Sequence, residues 1–165
     1  MRKLGIVLVL AMLLTGCAEQ TVYEPVEDVY QVIAPPAARL LLELPQDAAV
    51  LTMGNTLGDI YFCDGYILTV QTLVGGDLDD TLRAVTGYGR DALTVLETGR
   101  RDHRLYQCVW TSAGEGGDQV GRLVLLDDGI WHYVVTVMAD AARAGELALA
   151  WDTLFDTVSL ERTGS

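Results

Sequence analysis

Beyond residue 60 the chain is written in short apolar and β-branched runs broken by glycine and aspartate, the pattern of half-buried antiparallel strands. Ile60 to Cys63 and Tyr66 to Leu73 flank Asp64-Gly65, a pair that tolerates the positive φ angles of a tight hairpin turn. In the second run Tyr66, Leu68 and Val70 share one face while Thr69 and Gln71 take the other. Leu93 to Glu97 predicts a further strand, and Leu105 to Thr111 another, with Tyr106, Cys108 and Trp110 aligned. A glycine-rich turn over residues 113–118 leads back through Val120 to Leu126. Asp128-Gly129 then turns the chain into Ile130 to Met138, where Trp131, Tyr133, Val135 and Val137 line up.

Two stretches change to helical spacing. Asp77 is a good N-cap for a helix to Thr86, with Leu78, Leu82 and Val85 on one side and Gly87 just past its end. Asp79 and Asp80 in its first turn complement the helix dipole, and helical geometry splays them too far apart for a calcium loop. Asp140 is a candidate cap for the last helix, which runs to Val158 with Leu147, Trp151, Leu154, Phe155 and Val158 in one stripe. Ahead of these, Arg39 to Leu44 reads as a first strand stopped by Pro45, with helix as the competing reading because leucine favours it. Ala49 to Met53 adds a short strand closed by a turn at Gly54-Asn55.

The N-terminal pattern is of another kind. Arg2 and Lys3 precede an apolar run over residues 4–14, which is too short for the roughly 20 residues that cross a bilayer. Leu14-Thr15-Gly16-Cys17 closes it, and the whole resembles a bacterial lipoprotein precursor with its lipobox. The resemblance implies cleavage between Gly16 and Cys17, lipidation of Cys17, and a protein held on the extracytoplasmic side of the cell membrane. Ala18 is not the aspartate that signals inner-membrane retention, so an outer membrane is open in a two-membrane cell. Residues 17–36 are acidic (Glu19, Glu24, Glu27, Asp28), contain Pro25, Pro35 and Pro36, and read as a tether. A single domain over 37–162 follows.

Charge narrows the partners. The formal net charge is −12, and it becomes −14 once Arg2 and Lys3 leave with the signal. That balance argues against nucleic acid and leaves the lipid as the contact with the membrane. Half of the residues are apolar, enough for a true core. With Cys17 committed to lipid, Cys63 and Cys108 have two readings. They form a disulfide across 45 residues, worth about 4 kcal/mol of chain entropy, or they stay buried as free thiols.

Strand, proline, hairpin, helix, antiparallel strands and a long closing helix together resemble the PsbP-like family. The matching residues are Leu40 to Pro45, Leu78 to Val85, the meander from Leu93 to Met138 and the closing Phe155-Asp156-Thr157-Val158-Ser159-Leu160. The resemblance implies an α+β fold, an antiparallel sheet of about six or seven strands packed by two main helices in an α/β/α sandwich. It carries no binding residue over.

Candidate chemistry is sparse. Gly87-Tyr88-Gly89-Arg90-Asp91-Ala92 has the spacing of a loose dinucleotide fingerprint, but a helix precedes it and a strand follows, the reverse of what pyrophosphate binding needs. Ser112, His132 and Asp127 supply the residue types of a hydrolase triad without a nucleophile elbow. His103 lies in the polar turn Arg100-Arg101-Asp102-His103-Arg104. Two thiols without neighbouring histidines do not make a zinc site, and neither a metal nor a cofactor is expected. The expectation is a non-catalytic binding or assembly module with an envelope protein or small ligand as partner; the alternative is an extracytoplasmic hydrolase. A deep pocket holding His132, Ser112 and a carboxylate would favour the second.

Overall fold

A computed structural model describes residues 35–55, 58–114 and 116–161. The signal, the lipobox with Cys17, and the tether up to residue 34 lie outside the described residues. Strands β2 (Ala49–Asn55), β3 (Gly58–Cys63), β4 (Tyr66–Val74), β5 (Val95–Gly99), β6 (Arg104–Gly114), β7 (Gly117–Asp127) and β8 (Trp131–Asp140) form one antiparallel sheet, in the order β2-β3-β4-β8-β7-β6-β5. It is two meanders joined where β8 pairs with β4 from Val74–Trp131 to Tyr66–Ala139. Helix α1 (Leu78–Thr86) links the meanders, and helix α2 (Ala144–Asp156) follows the second.

The helices cover opposite faces. On one, α2 lays Leu147, Trp151, Leu154 and Phe155 over Tyr61, Tyr66, Leu68, Tyr133, Val135 and Val137. On the other, Leu82 of α1 meets Tyr106, Cys108, Trp110, Leu123, Leu125 and Val134. Because β8 is covered on both sides, Tyr133, Val134, Val135 and Val137 are all fully buried, and from Trp131 to Ala139 the residues of both faces are apolar apart from His132 and Thr136. Trp110 lies flat on β7 at Gly121, where a Cβ would fall 2.2 Å from the ring. Only glycine lets the ring approach.

Local chemistry explains most boundaries. Gly65, at φ 82°, closes the β3–β4 hairpin, where a side chain would be strained. The Asp77 carboxylate accepts the Asp79 N–H at 2.9 Å, and Gly87 leaves α1 at φ 82° while its N–H donates to the Arg83 carbonyl. Asp127 and Asp128 serve their turn: Asp127 accepts the Gly129 N–H at 2.8 Å, and Asp128 accepts those of Ile130 and Trp131 at 2.9 and 2.7 Å.

Four expectations need correction. Asp140 does not cap α2. It ends β8 and accepts the Ala142 N–H at 3.0 Å, so an intervening turn precedes the helix, whose N-cap position is Arg143. The last helix stops at Asp156, because Ser159–Glu161 forms β9, which pairs with β1 (Arg39–Leu41) in a separate two-stranded sheet. Arg90–Ala92 is a short 3-10 turn, which moves the start of β5 from Leu93 to Val95. Strand β2 continues through Gly54 and Asn55 instead of turning there.

The segment ahead of β1 is fastened to the start of β8. Trp131 donates its indole N–H to the Pro35 carbonyl at 2.9 Å. The Ala38 N–H donates to the Tyr133 hydroxyl at 2.8 Å, and that hydroxyl donates to Asp128 at 2.9 Å. From there the chain runs along the α2 face, burying parts of Leu40 and Leu42, to Pro45 at the opposite end of the sheet.

Candidate functional site

The two ends of the sheet differ in what they leave open. At the end holding the β3–β4 turn, α2 and the loop between β1 and β2 stand apart and leave a groove of 710 Å³. Its apolar lining comes from Leu44, Pro45, Leu147, Leu149, Ala150 and Leu154. Leu149 lies off the buried stripe of α2 and is 78% exposed, and Leu44 is 44% exposed. The carboxylates of Glu43, Asp47, Asp64 and Glu146 stand around the groove, and among the described residues no cation lines it. Arg143, just outside, lies 3.9 Å from both Asp64 and Glu146, too far for a direct hydrogen bond. The loop wall is held by an Asp64 N–H bond to the Asp47 carboxylate and by the Glu43 N–H donating to the Thr157 hydroxyl at 3.1 Å.

Below this end lie Tyr66 and Trp151, ring to ring in an edge arrangement at 6.1 Å. Cys63 is buried beside them. Burial pushes its thiol up, and burial followed by the contact with Cys63 pushes the Tyr66 phenol up too. Both stay protonated at neutral pH, so neither is a ready nucleophile.

The other end holds the polar residues. His132 is 2% exposed and shares a 2.7 Å hydrogen bond between its Nδ1 and the Thr81 hydroxyl of α1. Its Nε2 lies 3.7 Å from Asp127. Burial alone would raise the Asp128 carboxyl, but the Trp131 and Ile130 N–H groups, the Tyr133 hydroxyl and the nearby His132 outweigh it and hold that carboxyl below its usual range. A polar recess of 470 Å³ is bordered by Arg100, His103, Arg104, Asp127 and Asp128, and neither His132 nor Thr81 lines it. His103 is partly buried, with its Nδ1 3.0 Å from Asp102.

These positions decide the sequence-derived candidates. His132 and Asp127 are brought together; Ser112 is not. Ser112 pairs with Gln119, whereas Asp127 pairs with Arg104, eight residues along the strand and roughly 27 Å away. The hydroxyl that does meet His132 is that of Thr81, on the buried face of α1. Cys63 and Cys108 are free and buried on opposite faces of the sheet, so the bridge between them is not formed. Burial pushes the Cys108 thiol up to about 11. Among the described residues no His, Cys, Asp and Glu side chains gather as three or more metal ligands. The groove itself escaped sequence reading; its one local signal is Leu149, an apolar residue off the stripe of its helix.

No family model matches the chain, and no curated protein does. Solved structures do match. They include LpqN of Mycobacterium tuberculosis, involved in cell envelope biogenesis, at 8% identity and TM-score 0.53 over 78% of this chain and 86% of that one. The PsbP protein of Synechocystis sp. PCC 6803, CyanoP, matches at 8% identity and TM-score 0.54, over 84% of this chain and all of that one. A protein of Bacteroides thetaiotaomicron matches at 10% identity and TM-score 0.52, over 76% of this chain and 46% of that one. The fold is the α+β sandwich of PsbP-like proteins, and identities this low speak to fold alone.

Proposed function

We propose that this protein is a lipid-anchored accessory module on the extracytoplasmic side of the cell envelope, and that it works by binding rather than by turnover. The groove beside α2 is the observation that carries the reading: apolar surface open to solvent at one end of the sheet, with a rim of carboxylates. Support also comes from where the reactive residue types lie. His132, Cys63 and Cys108 are buried in packing and hydrogen bonding, and Ser112 is far from the histidine. The lipobox at Leu14–Cys17 supports the anchor, and the fold shared with LpqN, a protein involved in envelope biogenesis, supports the location. The partner is an envelope protein or a small ligand, and contact with the bilayer is through the lipid on Cys17.

Labelled palmitate should enter the wild-type protein and not Cys17→Ser, and crosslinking in intact envelope should recover partners that depend on Cys17. If the purified protein instead hydrolyses ester or peptide substrates and no partner is recovered, the reading is wrong.

A further inference from the structure

We propose that the groove receives a basic amphipathic segment of another protein, a reading that rests on the binding role proposed above. An occupant must satisfy two features at once. Leu44 and Leu149 offer exposed apolar surface, so the occupant needs an apolar face of its own. Glu43, Asp47, Asp64 and Glu146 line the same groove, and among the described residues no cation does, so the occupant's flanking charges must be positive. Arg143 touches only one side of this rim, at 3.9 Å from each of two carboxylates, and leaves an excess of negative charge.

Charge also argues against the other occupants. A second copy, its signal removed, would bring a net charge of −14 and an identical acidic rim to the interface. An anionic headgroup would meet the same repulsion. A lysine- or arginine-bearing amphipathic helix laid against α2 satisfies both features, with leucine-type anchors on the floor and cations at the rim. The groove also lies at the end of the sheet opposite Trp131 and Pro35, where the chain enters the domain. A partner there meets no obstruction from residues 35–38.

The test uses the full chain in nonionic detergent, with a synthetic Leu/Lys amphipathic peptide as probe and its Leu/Glu counterpart as control. Two double variants of equal net charge are compared, Glu43→Lys with Glu146→Lys at the groove and Asp80→Lys with Asp91→Lys on the opposite face. Circular dichroism checks that each is folded. Titration should give saturable binding of the Leu/Lys peptide alone, weakened about tenfold by the groove pair and little changed by the distant pair. Equal weakening by both pairs would mean bulk charge attraction and overturn the inference, as would equal binding of the Leu/Glu peptide or no binding at all. Envelope crosslinking separates the two levels. Partners retained by the groove variants would sink this inference and leave the accessory role standing, whereas no partner for the wild type would sink the role itself.

Discussion

The two ends of the sheet hold opposite kinds of residue and use them oppositely. The end around the β7–β8 turn carries Asp127, Asp128, His132 and Tyr133, the residue types from which catalytic sites are built. Their polar atoms are directed at turn N–H groups, the Thr81 hydroxyl, and the entering chain at Ala38. The groove end carries leucines and surface carboxylates, with no functional signature in the sequence, and among the described residues Leu44 and Leu149 there stay exposed. A polar cluster satisfied internally is what the fold itself requires, whereas exposed apolar surface with a charged rim is the feature on which the proposed binding role rests.

The contrast can be broken by mutation, and the largest effect should come from beneath the groove. Trp151 is 1% exposed and packs on Tyr66, so Trp151→Ala should cost about 3–5 kcal/mol in urea unfolding. A loss below 1 kcal/mol would mean that α2 is not anchored through this ring. Next is His132. Replacing it with alanine removes the partner of a buried Thr81 hydroxyl and should cost about 1–3 kcal/mol. Partner recovery should survive in whatever protein remains folded. Partner loss at unchanged stability would hand the functional role to the polar end.

The Asp128 carboxyl tests the same end by pH. Its folded pKa is depressed below the unfolded value of about 3.9. Its contribution is therefore complete above that value and disappears as pH falls through the folded one. Asp128→Asn should cost about 1 kcal/mol at neutral pH, and the gap from wild type should close in acid. A gap that stays constant with pH would contradict this assignment. The smallest stability effect belongs to the groove rim. Leu149→Ser should stay within about 0.5 kcal/mol of wild type, while partner recovery falls.

What was legible in the sequence followed from local rules. Asp64-Gly65 and Asp128-Gly129 sit where hairpin geometry needs them, and Asp77 and Gly87 bracket α1. Apolar alternation in Tyr66, Leu68 and Val135 gave the faces of the sheet. Errors arose where the deciding contact was distant or locally ambiguous. An aspartate ahead of a helical stretch can cap it or make a turn of its own, and Asp140 does the second. Pairing of Leu40 with Leu160 joins the ends of the domain, beyond any window of periodicity. Ser112 shares a strand with Arg104, but length along that strand separates it from His132. The groove depends on contacts such as Glu43 with Thr157, 114 positions apart.

The most direct measurement places a photo-crosslinking residue at Leu149 in one copy of the protein and at Arg100 in another, and irradiates intact envelope. A discrete adduct is expected from position 149 and none from position 100. An adduct confined to position 100, or equal capture at both, would contradict that expectation.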